Sequence, residues 1–539
     1  MNTRFIHTII LLMLSLCAAS AVAQDSDVLL RDKITDAVMR VYDEQIAKDP
    51  NDYNTLFARA HQQYYNGEYT AALADVNQAL LLTPKTDKEL RFDEYILRAR
   101  ISEARMNYSD ELADLLLAQE LQPKSLACTD LIAKTNLKLG NLNAAEKAFK
   151  TILRAESMNY DAMYGMAQVA LARGDNKAAI EHVDKAVELF RVEPQVYINR
   201  ADIYSRQGNI DAAVQDLVLG MSVGDGGNAA QALFNLSDAN YDAVMATLAS
   251  LASSASTGND GGMYRYLRAS IAMDHTRFGQ ALSDLNHIKR NHLYDSPAID
   301  YNLAKCYMEL ARWDEAITHA DLSLARSSNQ PDCFVTKAIA QYYAGQGNNF
   351  DEAIETLNQC SAIAPQYVPM LLTKALLYAG HGQEQNALGY LNAAVANEPE
   401  NAEARLTRAL LLERIGNNTL ATKDYAIVSR LSDDAEDLKG IALSKMGRDN
   451  ESLKWLNTIT AANMPGGQNQ FCAAVFMALR GDNFKAMEYA QRAINLGYGS
   501  LYRLNYDDLS LLSIKSLRQE PGFDLLIDKA QRNFLESAN

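Results

Sequence analysis

Five arginines between residues 59 and 408 are each followed by an aspartate sixteen residues later. A guanidinium and a carboxylate can form a bidentate, charge-assisted ion pair, so this spacing could serve one of two purposes. It could present a ladder of charges to a ligand, or it could fix two segments against each other. A ligand-binding ladder would leave one sign in excess, and because these charges come in opposite pairs the pattern favours the structural interpretation. The pairs are Arg59 with Asp75, Arg98 with Asp114, Arg200 with Asp216, Arg268 with Asp284 and Arg408 with Asp424.

Other residue types that carry chemistry do not converge in the sequence. The eight histidines are dispersed, and His287 and His292 are spaced so that they face different sides of a helix. We find no His or Cys spacing typical of zinc, no Gly-rich phosphate loop after a strand, and no nucleophile elbow. The sequence therefore predicts no catalytic residue, no metal site and no cofactor, and the protein is interpreted as not an enzyme. An enzyme with its chemistry in the segment Leu501–Asn539 is kept as an alternative.

The chain has 539 residues, a net charge of −16 and a pI near 5.1. Nucleic acid and anionic lipid are unfavoured as partners because both need a basic surface. The first residues resemble an export signal: Arg4 is followed by the apolar run Ile9–Ala19 and by small residues before Gln24. We expect a mature periplasmic protein; a secreted protein or a lipid anchor at Cys17 is the alternative. No later segment is apolar enough to predict a membrane span.

Six cysteines are present, and five remain if Cys17 is removed with the leader. An odd number at long separations is not typical of a disulfide framework. Cys333 and Cys360 could approach each other and form a disulfide, or both could be small apolar fillers of a helical core.

The elements that position these residues are predicted to be helices, because the sequence repeats one helical unit along most of its length. In Tyr301–Ala325, two short amphipathic runs place small Ala304, Ala316 and Ala320 where two helices would cross. This segment resembles a tetratricopeptide repeat (TPR), a helix-turn-helix unit of 34 residues. The resemblance implies an all-α fold, a right-handed superhelical solenoid of TPR hairpins. Units are predicted to begin near residues 53, 92, 126, 160, 194, 225, 262, 297, 331, 368, 402, 433 and 467.

Small and flexible residues recur at fixed positions of the unit. Position 8 is Ala or Gly in every unit and position 20 is Ala in most, which predicts close helix crossings. Glycine at position 15 predicts a left-handed turn between the two helices. The position-8 residues are Ala60, Ala99, Ala133, Ala167, Ala201, Ala232, Ala269, Ala304, Ala338, Ala375, Ala409, Gly440 and Ala474. The position-15 glycines are Gly67, Gly140, Gly174, Gly208, Gly382, Gly416, Gly447 and Gly481.

The repeat pattern predicts five regions. Residues 1–23 form the signal peptide, 24–52 an N-terminal capping helix, 53–258 an N-terminal array, 259–497 a C-terminal array and 498–539 a C-terminal cap. Ser, Gly and Ala in Ala252–Gly262 indicate a hinge or a change of superhelical pitch. In the cap, Asp507–Leu512 and Phe523–Phe534 are predicted to be helices.

In the TPR family the first helices line a concave groove, and that resemblance implies which residues face it here. Aromatic and Arg side chains are the types that anchor protein interfaces. The partner-binding candidates are Phe57, His61, Tyr64, Tyr65, Arg100, Tyr164, Arg206, Tyr301, Lys305, Tyr342, Tyr343 and Arg414, with Lys134 and Asp202 at equivalent positions. The set of Lys, Asn and Arg by which some family members bind C-terminal carboxylates is not present at these positions.

These observations predict an exported, non-enzymatic scaffold that holds a partner protein or extended peptide in its groove, in envelope assembly or secretion. The alternative is an accessory or regulatory subunit of a membrane-associated complex, bound through its convex face and C-terminal tail. The sequence gives no oligomeric state.

Overall fold

The structure is a computed structural model that describes residues 37–223, 226–255, 258–431, 436–461, 466–507 and 509–538. The described residues form helices, turns and bends and contain no strand. Contacts divide the chain into two compact units, an N-terminal unit of Leu30–Leu236 and a C-terminal unit from Ser237 onward. The predicted signal peptide and Cys17 lie outside the described residues.

The N-terminal unit consists of helices that pair antiparallel in sequence order. A helix at 37–48 precedes the first full hairpin, at the place where a capping helix was predicted. The helix Gly227–Ser254 begins in this unit and contains a kink at Asn240 (φ −133°, ψ 34°). The hairpin helices are Tyr53–Tyr65, Tyr69–Leu82, Lys88–Ala104, Tyr108–Leu121, Leu126–Lys138, Leu142–Ala155, Tyr160–Ala172, Asn176–Leu189, Pro194–Arg206 and Ile210–Met221.

The C-terminal unit repeats the same hairpin and ends in a less regular tail. Its hairpin helices are Gly258–Asp274, Phe278–Asn291, Pro297–Glu309, Trp313–Arg326, Pro331–Ala344, Phe350–Ile363, Val368–Gly380, Glu384–Asn397, Ala402–Arg414, Asn418–Val428, Glu436–Lys445, Asp449–Ala461, Gln468–Leu479 and Asn483–Asn495. The tail contains a π-helical turn at Tyr502–Tyr506, a 3₁₀ turn at Lys515–Gln519 and the helix Phe523–Ala538.

Small residues set the hairpin packing as the spacing predicts. Ala60 and Ala72, at positions 8 and 20 of the first unit, are both fully buried, and most equivalent alanines are as well. Gly440 is required in its unit because a Cβ there would lie 1.9 Å from the indole ring of Trp455. The prediction is wrong for Ala232, which is only partly buried. In that irregular unit the neighbouring residue Leu233 is fully buried.

The turns inside the hairpins adopt the left-handed conformation that the glycine spacing predicts. All eight predicted glycines have positive φ, from 70° at Gly382 to 84° at Gly416. Met106, Thr276 and Ala311 occupy the same turn position with φ of 56–57°. These three turns therefore keep the left-handed geometry of the glycine turns, at an energetic cost that glycine would avoid.

Repeat boundaries from the sequence agree closely with the helices. Helices begin at the predicted residues 53, 126, 160, 194, 297, 331, 368 and 402, whereas the second hairpin begins four residues early, at Lys88. The two compact units divide between Leu236 and Ser237, whereas the predicted array boundary lies at 258/259. The predicted hinge at 252–262 stays a prediction.

The tail departs from its predicted structure. Phe523–Ala538 is a helix as predicted, but the prediction of a helix at Asp507–Leu512 is wrong. The Asp507 carboxylate accepts a hydrogen bond from the Ser510 backbone N–H (3.2 Å), an Asx-type interaction that competes with helix formation. The same bend buries Leu509 to 7% exposure, so this segment packs rather than continuing a helix.

Candidate functional site

Four of the predicted partner-binding residues form an aromatic cluster on the first hairpin helix of the N-terminal unit. The Asp52 carboxylate accepts hydrogen bonds from the backbone N–H groups of Asn54 and Thr55 and so fixes where this helix begins. The His61 ring lies 4.9 Å from that of Tyr65, and the Tyr64 and Tyr65 rings lie 5.7 Å apart. Tyr65 is 65% exposed. We call Phe57, His61, Tyr64, Tyr65 and Arg100 the N-terminal surface.

Arg100 adds a positive charge to this surface from the next first helix, Lys88–Ala104. Its side chain is exposed, and among the described residues its guanidinium has neither a hydrogen bond nor an ion pair. Partial desolvation and, second, the charge of Arg100 lower the pKa of His61, which favours the neutral ring. The N-terminal surface thus combines exposed aromatic area with an arginine that has no hydrogen bond or ion pair to any described residue.

The polar groups of the other candidates in this unit already have partners within the unit. The Tyr164 hydroxyl donates a hydrogen bond to Asp202 (2.7 Å) in the neighbouring hairpin, and Arg206 pairs with the same carboxylate (3.0 Å). Lys134 pairs with Asp130 at 2.6 Å. Sequence reasoning placed these residues correctly on first helices, but their polar groups already have partners.

In the C-terminal unit the structure places the remaining candidates in less accessible surroundings. Tyr301, Lys305 and Tyr342 are partly buried, and Tyr343 is only 9% exposed. Arg414 is exposed but pairs with Glu384 (2.7 Å) and donates to the Ala379 carbonyl (3.2 Å). These five residues do not form one cluster comparable to the N-terminal surface.

The chain's own tail covers part of the C-terminal unit where the groove candidates lie. Trp313 and Tyr343 stack with ring centroids 5.3 Å apart. Tyr502 of the tail places its ring edge-on to both, 6.0 Å from Trp313 and 5.3 Å from Tyr343. Tyr506 meets Trp313 from the tail as well, at 5.6 Å. The chain's own tail therefore covers this aromatic surface.

Polar contacts and close backbone approaches hold the tail in place. The Ser500 hydroxyl donates to the Glu309 carboxylate at 2.5 Å. Upstream of the tail, the Thr276 hydroxyl donates to the Gly466 carbonyl at 2.8 Å and so joins the first and last hairpins of this unit. A Cβ at Gly499 would lie 2.4 Å from the Thr276 carbonyl oxygen, so glycine is required for this approach. The two hydrogen bonds join residues 191 and 190 positions apart, which no local sequence pattern signals.

The five predicted Arg–Asp ion pairs are confirmed. In four of them Nε and a terminal nitrogen of the Arg donate to the two carboxylate oxygens at 2.6–2.8 Å. Arg268 and Asp284 form a longer contact of 3.3 Å. The five aspartates are buried, with exposures of 2–9%. Hydrogen bonding to the paired aspartate is the main cause that raises the pKa of Arg59, Arg98 and Arg200.

Four of these arginines also have a second partner residue that the spacing did not reveal. The remaining nitrogen of Arg200 donates to Asp184 (2.8 Å) on the second helix of the preceding hairpin. Arg59 reaches Asp43 in the same way, and Arg98 and Arg408 reach Asn77 and Asn392. Each of these four pairs therefore also contacts the preceding helical element, which supports the structural interpretation over a ligand-binding ladder.

One group in the described residues could offer metal ligands, and sequence reasoning missed it. Asp238, Asp274 and His275 bring one ligand atom each to within 4.8 Å of one another. The Ser237 hydroxyl lies 2.9 Å from His275 Nε2 and Asp238 Oδ1 lies 3.7 Å from it. This nitrogen therefore already has a hydrogen-bond partner, and the contact links the helix Gly227–Ser254 to the turn that follows Asp274.

The cysteines of the described residues are free and buried. The Cys333 thiol contacts the Ala320 carbonyl and the Cys360 thiol the Pro331 carbonyl, both at 3.6 Å, so the two sulfurs do not form the considered disulfide. Separately, none of the described helices combines the length and the apolar composition that a bilayer crossing requires.

Comparison with protein families gives matches along much of the array. Tetratricopeptide-repeat models match residues 131–194, 266–331 and 372–435, and a second tetratricopeptide-repeat model matches 194–220. One curated relative, DnaJ homolog subfamily C member 3 of Gallus gallus, is 23% identical over 343 residues. That match covers 57% of this chain and 66% of the relative, slightly less than two thirds of its length.

Solved structures with similar helical arrays have low identity to this chain. The APC/C hetero-tetramer Cut9–Hcn1 has 14% identity and a TM-score of 0.33, covering 92% of this chain and 95% of the other. The C-terminal part of a TPR repeat-containing protein from Cytophaga hutchinsonii has 14% identity and a TM-score of 0.33, covering 46% and 93%. A thermophilic TPR protein of Thermus thermophilus has 21% identity and a TM-score of 0.27, covering 36% and 97%.

The family-model matches coincide with hairpins whose small residues and left-handed turns follow one template from Tyr53 to Asn495. The chain therefore contains tetratricopeptide repeats.

Proposed function

We propose that this protein is an exported, non-enzymatic scaffold that binds a partner protein or an extended peptide through its N-terminal surface. TPR arrays are protein–protein interaction scaffolds, and the proposal specifies the surface and the compartment. The observation that carries it is the aromatic cluster with exposed His61 and Tyr65, beside Arg100, whose guanidinium has no hydrogen bond or ion pair to any described residue. The corresponding face of the C-terminal unit carries the chain's own tail instead.

The chemistry of the N-terminal surface suits a protein ligand. Tyr and Arg contribute large contact area with few rotatable bonds to immobilise, so they recur as the energetic centres of interfaces. Tyr64 and Tyr65 lie edge-on to each other, which holds both rings before a ligand arrives. The expected ligand therefore contributes apolar or aromatic side chains together with a group that accepts hydrogen bonds from Arg100.

Export follows from the N-terminal signal pattern, and the proposed compartment is the periplasm of a bacterium. Work in envelope assembly or secretion is the proposed context for such a scaffold. N-terminal sequencing of the protein recovered from the periplasmic fraction tests this part. Mature protein beginning at Gln24 supports export, and an intact N-terminus in the cytosol contradicts it.

Quantitative affinity capture tests the N-terminal surface. The full mature chain is compared with Tyr65→Ala/Arg100→Ala, and with Leu81→Ala as a matched control. Leu81 lies on the second helix of the first hairpin and is 80% exposed. We expect a partner to be retained by the wild type and by the control but lost from the double variant, with helicity unchanged. Equal retention by all three proteins contradicts the proposed surface.

A second candidate function is the accessory subunit that binds through its C-terminal tail. Phe484 and Leu525 support it, since they are 82% and 70% exposed at the end of the array and on the tail helix. Leu517 and Phe523 are buried and cannot contribute to such a surface. Loss of partner from Phe484→Ala/Leu525→Ala, with retention by Tyr65→Ala/Arg100→Ala, would favour this second function.

A further inference from the structure

The tail contacts the hairpins of the C-terminal unit through aromatic rings and a hydrogen bond, as a bound peptide would. Residues 500–507 consist mainly of the π-helical turn Tyr502–Tyr506. Their side chains contact a surface that two hairpins build. We call the receiving residues Glu309, Trp313 and Tyr343 the tail slot. Glu309 closes the helix Pro297–Glu309, Trp313 opens the helix that follows, and Tyr343 lies near the end of Pro331–Ala344.

Each residue of the slot receives a chemically matched group. Glu309 accepts the Ser500 hydroxyl hydrogen bond, and the Trp313–Tyr343 stack receives the edge of Tyr502. Beside it, the guanidinium of Arg503 lies over the Phe471 ring at 5.9 Å. Burial disfavours the charged form of Arg503, but the attraction of its neighbours, including Asp507, Glu309 and Glu403, raises its pKa. Edge-to-face aromatic contacts and the contact of a partly buried cation with an aromatic ring are directional interactions, so the tail slot together with the neighbouring Phe471 ring discriminates by chemistry as well as by apolar area.

The tail is preorganised for this contact by bonds within itself. The Tyr502 hydroxyl donates to Asp507 at 3.2 Å, and the Ser500 hydroxyl accepts the Arg503 backbone N–H at 3.0 Å. Leu509 continues the contact along the next first helix, where a Cβ at Gly380 would lie 2.7 Å from its methyl group. Successive first helices are thus contacted by successive tail residues.

We propose that the tail slot is a recognition site for a segment that carries an aromatic–Arg pair in a helical turn, and that Tyr502–Arg503 of the π-helical turn occupy it as an intramolecular ligand. The tail then competes with any segment of the same chemistry. The C-terminal unit binds such a segment only when its own tail is displaced. This site is separate from the N-terminal surface and does not depend on the function proposed for that surface.

The test uses the full mature chain and a fluorescent peptide that copies residues 498–514. The tail-side variant is Tyr502→Ala/Arg503→Ala, which leaves Glu309, Trp313 and Tyr343 unchanged. We expect it to bind the peptide at least about tenfold more tightly than the wild type, since both changed residues are interface-anchor types. Adding Trp313→Ala should abolish the gain, and a peptide with the same Tyr and Arg changed to Ala should not bind.

Hydrogen exchange of residues 500–507 and circular dichroism accompany the anisotropy measurement. If the tail stays protected in the tail-side variant, Gly499→Ala is used instead, because it displaces the tail backbone from Thr276 and leaves the slot intact. The proposal is overturned by equal binding of the peptide to wild type and released variant. Absence of binding when the tail exchanges freely in a folded array also overturns it, as does a gain that survives Trp313→Ala.

Discussion

Arg200 donates two hydrogen bonds of 2.7 Å to Asp216 of its own hairpin and a third, of 2.8 Å, to Asp184 of the preceding hairpin. The Asp216 side chain is 5% exposed, whereas that of Asp184 is 46% exposed. One guanidinium therefore sets both the pairing of helices within a hairpin and the stacking of neighbouring hairpins. The two bonds differ in burial, so they should differ in energy.

Asp216→Ala should reduce the free energy of unfolding by about 3–5 kcal/mol, since it leaves a partly buried guanidinium without its main partner. Asp184→Ala should cost less than about 1 kcal/mol, because exposed pairs are screened by water. Urea unfolding of the single variants and of Arg200→Ala/Asp216→Ala measures these costs and the coupling between the two residues. Additive costs for Arg200→Ala and Asp216→Ala contradict the pairing.

The sequence predicted the Arg–Asp pairs because a spacing of sixteen residues crosses one hairpin turn. It did not predict the partners in the preceding helical element, since these include both Asp and Asn at separations of 16 and 21 residues. The opposite signs of Arg and Asp are visible in a sequence. A polar side chain that accepts a third hydrogen bond looks like any other surface residue.

Glu94 predicts a pH dependence of the N-terminal unit. Its side chain is fully buried, and burial raises the pKa of its carboxyl from 4.5 to about 7. The single hydroxyl proton of Thr83 faces two acceptors, Glu94 at 2.5 Å and the Ala79 carbonyl at 2.9 Å. A protonated Glu94 resolves this conflict because it can donate to Thr83.

The folded state binds the Glu94 proton more tightly than the unfolded state does. The contribution of this proton to the free energy of unfolding is therefore fully present below about pH 4.5. It is lost as the pH rises through about 7, by roughly 3 kcal/mol in total by about pH 8. Glu94→Gln should remove this contribution to the slope, whereas exposed Glu120→Gln should not. Unfolding free energies from pH 4.5 to 8 test this, and an unchanged slope in Glu94→Gln contradicts it.

The left-handed turn at Met106 is a position where substitution by glycine should stabilise the protein. Met106 adopts φ 57° and its side chain is 78% exposed, so its side chain adds strain and little packing. Met106→Gly should raise the unfolding free energy by about 1 kcal/mol. Gly67→Ala, at the same position of the preceding hairpin with φ 76° and nothing near its Cβ, should lower it by a similar amount. Opposite signs in chemical denaturation are expected, and a loss of stability in both variants contradicts the prediction.

Most of the fold could be predicted because each hairpin is local: Ala60 and Ala72 identify one helix crossing without information from elsewhere. The N-terminal surface was also accessible to sequence reasoning, since Tyr64, Tyr65 and Arg100 lie at regular first-helix positions. The tail was not, because Ser500 and Glu309 meet across 191 residues. Such a contact depends on how the whole C-terminal unit brings its ends together.

The thiols of the mature chain should be unreactive in the folded state. Burial raises the pKa of Cys128, Cys333 and Cys360 to about 11, which disfavours the reactive thiolate near neutral pH. A thiol reagent should label the native protein slowly and label five cysteines after unfolding without reductant. Three labelled cysteines in the unfolded sample would reveal a disulfide and contradict the arrangement of Cys333 and Cys360.

Gly499→Ala should open the tail without changing any residue of the tail slot. A Cβ would lie 2.4 Å from the Thr276 carbonyl oxygen, and a backbone atom cannot move aside as a flexible side chain can. We expect a loss of at least about 2 kcal/mol, because overpacking forces the backbone to shift. Gly522→Ala is the matched control in the same tail, with φ 89° and nothing near its Cβ, so it should cost only about 1 kcal/mol of backbone strain. Hydrogen exchange should then increase across residues 500–507 in Gly499→Ala but not in Gly522→Ala. Equal protection of those residues in both variants would mean that the approach of Gly499 to Thr276 does not hold the tail in place.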